Sequence, residues 1–332
     1  SSDVCSSDLA ALSTGTGYIV NPAAAPVTFS LSGKLNTGNL EVNLTRTAGK
    51  EKEGFNLVGN PYPSYLSVSS IMTNPDIDKS YWLRGRNSGN SAWIFDSYNI
   101  AGDVATRNSG LAVTSFIPPM QAFWVRVSSG KAGAKLNLNN SMREHKDVAN
   151  NRFRAQANLS PLIRLVVSNG TNSDEAVIYF NVNASNGYDA YDSPKMFNNN
   201  PNIPEIYTLA GSEKLVINGM NQYFGGLQIP LGFITGQSNT LSIRASELRN
   251  MNPDIQIILK DKLMNNEINL TQGGLYNFTS TNVSTEQRFE IIFAPTSSTW
   301  TGANSVEWNS VENWSNGTPG SITNTIIADA VN

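Results

Sequence analysis

The chain has 332 residues, of which 39% are hydrophobic and 15% are charged, and its formal net charge is −3. This length favours two domains, and the absence of any Lys/Arg cluster argues against nucleic acid as a partner. One Cys and one His leave little for a metal site or for thiol and imidazole catalysis, so no cofactor is expected. No apolar run approaches the roughly 20 residues of a membrane-spanning helix, so no membrane span is predicted.

The first nine residues read SSDVCSSDL and show neither helical nor strand periodicity. They resemble a translated sequencing adapter, and we interpret residues 1–9 as an artefact. With Cys5 set aside the chain has no cysteine, so a fold without disulfides is expected.

Apolar residues recur with period two over short stretches of residues 10–150, which predicts strands. Gly, Asn, Ser and Pro separate these stretches, as is typical of an all-β sandwich. A single helical turn is predicted within Ser64–Met72, because Asn74 and Pro75 follow as a stop signal. The predicted strands are Val27–Leu31, Leu40–Leu44, Phe55–Val58, Ala92–Phe95, Ala122–Val127 and Lys135–Leu138.

Between Ser141 and Ser160 the charge density rises and strand alternation stops, so residues 151–160 are predicted to be a linker. A second series of strands begins after it, and its one helix candidate is Arg244–Asn250, which Pro253 would end. The predicted strands of this half are Leu162–Val167, Ala176–Val182, Ile206–Leu209, Leu215–Ile217, Leu227–Leu231, Leu241–Arg244, Ile255–Lys260, Ile268–Leu270, Tyr276–Phe278 and Phe289–Phe293.

Together these elements predict an all-β fold of two tandem antiparallel β-sandwich or jelly-roll-like domains, residues 10–150 and 161–296. Residues 297–332 are expected to begin a truncated, Trp-rich C-terminal β-repeat. They bring three tryptophans, and few residues follow that would bury them. We therefore expect the chain to be an internal piece of a longer protein.

Residues 55–64 read FNLVGNPYPS, and residues 117–127 read IPPMQAFWVRV. This combination resembles a β-domain that recurs in large secreted surface proteins of Bacteroidetes bacteria. The second half resembles the module that commonly follows it, and Trp300–Trp314 resembles the WTG…W…NW repeat of the same proteins. The resemblance implies an extracellular or outer-membrane location on a Gram-negative cell and export by type IX secretion. The C-terminal sorting domain of such proteins is not found in this sequence.

The turn Gly59–Ser64 has two interpretations. It is either a ligand loop carrying Tyr62, or a rigid strand exit set by Pro61 and Pro63. We favour the rigid exit, because each proline also restricts the residue before it.

An aromatic set in the first domain suggests a surface on which a sugar ring would stack. The candidate ligand-binding residues are Trp82, Trp93, Tyr98 and Trp124, with Tyr65 nearby. The alternative, which we favour, is that these rings pack beneath a loop or a neighbouring domain.

Strand alternation places Phe123 and Trp124 on opposite faces of one strand. Phe123 shares its face with Val125 and Val127, the more continuously apolar set, and is predicted to be core. Trp124 shares its face with Arg126 and is predicted to be partly exposed or covered by a loop.

The acidic residues Asp189 and Asp192, with Asp174 and Glu175, supply oxygen ligands of the kind that Ca²⁺ prefers. Asp189 and Asp192 are therefore the candidate metal ligands. Their spacing matches no closed ligand pattern, and we favour the interpretation that all four are solvated turn carboxylates.

Two further residues, His145 and Asp96, are of types that act in catalysis. His145 lies in the charged stretch Arg143–Asp147 and is interpreted as a solvated side chain. Asp96 beside Trp93 is the first candidate for one of the paired carboxylates of a glycoside hydrolase. No motif promotes Asp96 further, so a catalytic role is not predicted.

The function that we expect is that of a non-catalytic segment of a secreted cell-surface protein, acting as a stalk, spacer or adhesion module. The alternative is a carbohydrate-binding module appended to a secreted polysaccharide-degrading enzyme, and a third hypothesis is a fragment of such an enzyme. An extracellular glycan or another surface molecule is the expected partner. A binder requires exposed, coplanar aromatic rings, and an enzyme requires convergent carboxylates at a pocket.

Overall fold

The computed structural model groups the chain into two compact units. The first comprises Ser1–Leu83 and Thr114–Ala155, and the second comprises Arg84–Val113 and Gln156–Asn332. The backbone therefore passes between the units three times. The structure describes residues 12–19, 33–87, 92–145, 160–237, 239–280, 283–320 and 323–327.

The fold is all-β, as the sequence predicts. In chain order, the elements up to residue 144 are β1 (Leu40–Thr45), β2 (Phe55–Gly59), β3 (Tyr65–Ser67), α1 (Ser69–Thr73), β4 (Ser80–Arg86), β5 (Trp93–Asn99), β6 (Val104–Ala105), β7 (Phe116–Ile117), β8 (Ala122–Arg126), β9 (Gly133–Leu138), a 3₁₀ turn (Asn140–Met142) and β10 (Arg143–Glu144).

Strands also account for most of the remaining chain. They are β11 (Leu162–Ser168), β12 (Ser173–Phe180), β13 (Ser193–Pro194), β14 (Glu205–Ala210), β15 (Glu213–Met220), β16 (Gln228–Thr235), β17 (Asn239–Arg249), β18 (Ile255–Asp261), β19 (Asn266–Asn269), β20 (Leu275–Ser280), β21 (Val283–Pro295), β22 (Ser297–Trp300) and β23 (Asn324–Ile327), with a second 3₁₀ turn at Val311–Asn313.

The first unit is built from small antiparallel groups of strands. β1 pairs with β9, β7 and β10 flank β3, and β2 and β4 flank β8. Along β8, Phe123 and Val125 are buried whereas Trp124 is half-buried, so the predicted orientation of this strand is confirmed. The predicted helical turn is also confirmed: α1 ends at Thr73, immediately before Asn74 and Pro75.

The second unit contains a sheet of eleven strands that encloses one apolar core. The sheet runs β19, β18, β21, β16, β14, β15, β12, β11, β17, β20, with β13 beside β15. Phe278 on β20 contacts Phe233 on β16 at 5.3 Å and Phe289 on β21 at 4.9 Å between ring centroids. Strands from both ends of the sheet thus contribute to the same core, which also contains Ile163 and Ile257.

Most strand pairs of the described residues are antiparallel, as expected, but two of them are parallel. β12 pairs in parallel with β15 in the register Val177↔Ile217, and β22 pairs in parallel with β23. In both cases the connection between the strands exceeds the dozen or so residues that a parallel crossover needs.

The helix predicted at Arg244–Asn250 is wrong, because Arg244–Arg249 forms the end of β17. This half of β17 pairs with β11, in the register Leu165↔Ala245 and Ile163↔Leu248, around a bulge after Arg164. Backbone pairing and burial against the core outweigh the helix propensity of the sequence RASELR.

The grouping of residues also differs from the predicted domain bounds. Residues 84–113, placed by the sequence in a first domain of residues 10–150, belong to the second compact unit. Strand pairing continues past Ser141, where strand alternation was expected to stop, since Arg143 in β10 pairs with Leu66 in β3. The predicted strand Val27–Leu31 and the linker residues 151–159 lie outside the described residues. Independent folding of residues 10–150 and 161–296 stays a prediction.

In the described ranges no helix has the length and apolar character needed to cross a membrane.

Candidate functional site

Residues 84–113 are here called the inserted segment, and their described part packs against β11, β12 and β15 on the outer face of the large sheet in the second unit. The side chains of β12 show how the segment is packed, because they alternate between two apolar clusters, one on each face of the sheet. Ile178 and Phe180 face the main core, whereas Val177 and Tyr179 pack in a second cluster with Val104 of the inserted segment. A strand buried on both faces is apolar without interruption, as the run AVIYF in β12 is.

A hairpin formed by β5 and β6 fits closely over Tyr179. Asn99 donates through Nδ2 to the carbonyls of Ala190, at 3.1 Å, and Asp192, at 3.0 Å. A Cβ atom on Gly102 would lie 2.0 Å from the Tyr179 hydroxyl oxygen, so only glycine allows this approach. The tip of the hairpin is therefore fixed by packing and by hydrogen bonds together.

Four charged residues, here called the ionic network, bind the inserted segment to the sheet. Arg164 on β11 pairs with Glu175 on β12 and, through Nε at 3.1 Å, with Glu247 on β17. Arg107 of the inserted segment pairs with Glu247 at 3.0 Å and donates its backbone N–H to Glu175 at 3.0 Å. Arg164 also donates to the carbonyl of Ala105 at 2.9 Å. Arg164 and Glu175 are 4% and 5% exposed, whereas Glu247 is half-buried and Arg107 is exposed, so the network is buried at its centre and open at the segment.

A second buried pair joins Asp174 on β12 to Lys195. Asp174 also accepts from the backbone N–H of Ile206 at 2.8 Å and from Asn108 Nδ2 at 3.1 Å. Asn108 belongs to the inserted segment, so this pair too connects the segment to the sheet.

Asp96, the candidate carboxylate of a glycoside hydrolase, closes a turn within the inserted segment. It accepts from the backbone N–H groups of Asn108, at 2.6 Å, and Ser109, at 3.1 Å, and from the hydroxyl groups of Thr106 and Ser109. Burial raises the pKa of Asp96, and these hydrogen bonds oppose the rise. The described contacts give this carboxylate a structural role.

The interpretation of the acidic residues as solvated is wrong for three of them. Asp174, Glu175 and Asp192 are 2%, 5% and 1% exposed. Burial raises the pKa of Glu175 to about 7 although Arg164 opposes it. Burial also raises the pKa of Asp192 to about 7 although the N–H groups of Asp189 and Gly219 bind its oxygens.

The candidate metal ligands use their oxygens within the chain. Asp192 accepts from Asp189 N at 2.8 Å and from Gly219 N at 2.9 Å. Asp189 is half-buried and accepts from Ser185 N at 2.6 Å and from Tyr191 N at 2.8 Å. Among the residues that the structure describes, no group of three or more His, Cys, Asp or Glu is placed to hold a metal ion.

The four predicted aromatic residues differ in exposure and divide between the two units. In the first unit Trp82 is fully buried against Phe55, with ring centroids 4.9 Å apart, and Trp124 is half-buried. In the second unit Tyr98 is buried, whereas Trp93 is 38% exposed. Of these four rings Trp93 alone has the exposure that stacking on a ligand requires.

Two arginines that the sequence reasoning missed lie beside Trp93. Arg84 and Arg86 are exposed, and their guanidinium carbons lie 5.7 and 4.3 Å from the Trp93 ring centroid. We call these three residues the Arg/Trp surface. The sequence held a signal for it, since residues two apart in a strand point to the same face.

The turn Gly59–Ser64 is packed within the first unit. Asn60 donates to the carbonyls of Ser64, Ile117 and Pro118, and the Tyr62 hydroxyl donates to Gly38 at 2.7 Å. Tyr62 is 2% exposed, which supports the interpretation of this turn as a rigid strand exit. These bonds also connect the GNPYPS motif to the start of the IPPMQAFWVRV motif.

The first unit also has an open groove of about 870 Å³ between α1 and the strands β1 and β9. Its two charged lining residues form ion pairs: Asp76 with Lys131 at 2.7 Å, and Lys135 with Glu41 at 2.8 Å. The groove has no aromatic side chain in its lining, so it lacks a ring on which a sugar would stack. His145 is exposed and lies outside this lining.

A family model described as a domain of unknown function (DUF8693) matches residues 2–293. The chain belongs to this family. The DUF8693 match begins inside residues 1–9, which the sequence suggested to be an artefact, and it ends before residues 297–332. It spans both compact units, including the inserted segment. No curated protein and no solved structure matches the chain.

Proposed function

We propose that the chain is a non-catalytic segment of a secreted cell-surface protein and acts as a load-bearing spacer or stalk. One observation carries the proposal: strand β4, Ser80–Arg86, contains the boundary between the units at Leu83 and Arg84. At this crossing a force that extends the first unit therefore reaches the second through a continuous strand.

The ionic network supports this proposal because it fixes the inserted segment where β4 enters the second unit. The segment contacts the network through the Arg107–Glu247 pair, the Arg107 N–H bound to Glu175 and the Ala105 carbonyl bound to Arg164, and separation would break all three contacts. Asp96, the candidate carboxylate of a glycoside hydrolase, is engaged in structural hydrogen bonds within the inserted segment.

We propose an extracellular location on a Gram-negative cell, with export by type IX secretion, on the basis of the motifs at residues 55–64 and 117–127. A core without disulfides and a surface with few charges suit a module of this kind. Detection of the parent protein on intact cells by surface proteolysis is the test of location.

Single-molecule extension of the chain, held at its two ends, tests the spacer function. We expect the two units of the wild type to unfold in one coupled event. Arg164→Met, which releases the carbonyl of Ala105 and both glutamates of the ionic network, should separate this event into two.

Arg288→Met is the matched control. Arg288 pairs with the buried Asp261 in the same sheet, at 2.6 Å, and its other described side-chain contacts are with Phe278 and Phe289 of that sheet. This variant should weaken the second unit and leave the event coupled. Independent unfolding of the two units in the wild type would overturn the spacer proposal, and so would release of reducing sugars from a polysaccharide that Asp96→Asn abolishes.

A second candidate function, carbohydrate binding, is favoured by a single observation: Trp93 is exposed on a strand. Retention of the wild type by a polysaccharide, lost in Trp93→Ala, is the outcome that this candidate requires.

A further inference from the structure

The Arg/Trp surface is a local concentration of positive charge on a chain of net charge −3. Within the part of the chain that the structure describes, Arg84 and Arg86 form no ion pair, and their printed contacts are with aromatic rings. Other arginines are neutralised by carboxylates. These are Arg46, Arg107, Arg126, Arg164, Arg249 and Arg288.

The geometry of Trp93 explains why two cations lie side by side here. The face of an indole ring is electronegative and attracts a guanidinium group within about 6 Å of its centroid. Arg84 and Arg86 both satisfy this distance, at 5.7 and 4.3 Å. Two like charges at one ring repel each other, and an anion bound between them would relieve the repulsion.

The chemistry of the three side chains points to a particular anion. A guanidinium group binds a carboxylate or a sulfate through two parallel N–H···O bonds. The exposed part of the Trp93 ring offers an apolar surface, which suits the apolar face of a pyranose. A ligand that satisfies both carries an acidic group on a sugar ring.

We propose that the Arg/Trp surface binds an acidic polysaccharide, with the sugar ring against Trp93 and its carboxylate or sulfate against Arg84 and Arg86. Nucleic acid fits less well, because binding to a phosphate backbone requires many cationic contacts, and the surface offers two. This inference does not depend on the spacer function.

Binding to matched polymers tests the proposal. The whole chain would be measured against polygalacturonate and its methyl ester, and against dextran sulfate and neutral dextran, by affinity electrophoresis. We expect retention by an acidic polymer and none by its neutral counterpart. The same experiment shows which acidic group is bound, since polygalacturonate presents carboxylates and dextran sulfate presents sulfates.

Variants then locate the binding surface. Arg84→Ala/Arg86→Ala and Trp93→Ala should each weaken binding at least tenfold. Arg244→Ala is the control: Arg244 is exposed on β17 of the same unit, and its substitution also removes one positive charge. It should bind as the wild type does. Unchanged melting temperatures establish that each variant is folded.

Several results would overturn the proposal. These are absence of wild-type binding to both acidic polymers, equal weakening by Arg244→Ala, and binding that survives loss of both Arg84 and Arg86. Equal retention by single-stranded DNA or by polyglutamate would also overturn it, since any polyanion would then suffice. None of these results bears on the extension experiment, so the spacer and the binding surface fail separately.

Discussion

The ionic network and the Arg/Trp surface both involve the inserted segment, but their arginines have different partners: carboxylates in the network and an aromatic ring at the surface. In the network, Arg164 is 4% exposed and every charged group has an opposite charge as partner. At the surface, Arg84 and Arg86 are exposed and contact an aromatic ring instead. A buried charge must be compensated within the chain, whereas an exposed one is stable in water.

The comparison distinguishes residues that stabilise the fold from residues that a ligand could contact. Arg164 and Glu175 of the network are inaccessible to a ligand. Charges that a ligand can reach contribute little to the fold. Substitutions in the two regions should therefore have opposite effects on stability and on binding.

The largest expected effect comes from breaking a buried pair. Lys195→Met leaves Asp174 buried, at 2% exposed, without its cation. We expect a loss of about 3–5 kcal/mol in the free energy of unfolding of the second unit. Denaturant titration, followed by the fluorescence of tryptophans in that unit, measures it.

The double variant Asp174→Asn/Lys195→Met is the control for this effect. It removes both charges and keeps an acceptor for the N–H of Ile206. Its loss should be clearly smaller than that of Lys195→Met, because no uncompensated charge remains. If the single variant unfolds at the wild-type denaturant concentration, the pair does not anchor the segment.

The next effect is a dependence of stability on pH that comes from Asp192. Its pKa is raised by burial to about 7 in the folded chain, against about 3.9 when unfolded. Between these values the folded state binds the proton and the unfolded state does not, so stability falls as pH rises from about 4 to 7. The contribution of this group is at most about 4 kcal/mol.

Asp192→Asn should remove this part of the decline. Asp261→Asn supplies a comparison of opposite sign: burial alone would raise the pKa of Asp261, but hydrogen bonds from Arg288 and Tyr276 outweigh it and lower the pKa. Stability from Asp261 is therefore lost as pH falls below about 4. Denaturation curves from about pH 2 to pH 8 measure both effects. An unchanged dependence of stability on pH in Asp192→Asn would contradict the assignment.

Side-chain alternation made part of the fold predictable from the sequence. Phe123 and Trp124 were assigned to opposite faces, and the structure places Phe123 at 1% exposed and Trp124 half-buried. The end of α1 was predictable for a similarly local reason, since Pro75 cannot continue a helix. Each of these predictions depends on neighbouring residues alone.

Features that depend on distant residues were not predictable. The sequence RASELR has helix propensity, and only its pairing with β11 makes it a strand. The burial of Trp82 likewise depends on which elements cover its strand, and alternation does not report that. The ionic network did leave one signal, since Arg164 interrupts the apolar run LIRLVV and a charge in such a run is rarely buried without a partner.

A smaller effect should come from the hairpin that covers Tyr179. In Gly102→Ala the new Cβ would lie 2.0 Å from the Tyr179 hydroxyl oxygen, so the hairpin must shift. We expect a loss of about 1–3 kcal/mol, as for other overpacked sites. Gly187→Ala, where the nearest atom is 4.0 Å away, should lower the melting temperature much less. Equal melting temperatures for the two variants would show that the hairpin is not fixed by this contact.

The smallest effect on stability should come from the Arg/Trp surface. Arg84→Ala/Arg86→Ala removes three cation–π contacts, two with Trp93 and one with Phe95, worth about 0.5–1 kcal/mol each at exposed sites, and also removes the repulsion between the two cations. These terms oppose each other, so the free energy of unfolding should change by less than about 0.5 kcal/mol, a usual range for surface substitutions. Denaturant titration of this variant and of Lys195→Met under the same conditions compares their free energies of unfolding directly. A loss approaching that of Lys195→Met would show that both arginines serve the architecture, and the contrast between the two regions would then fail.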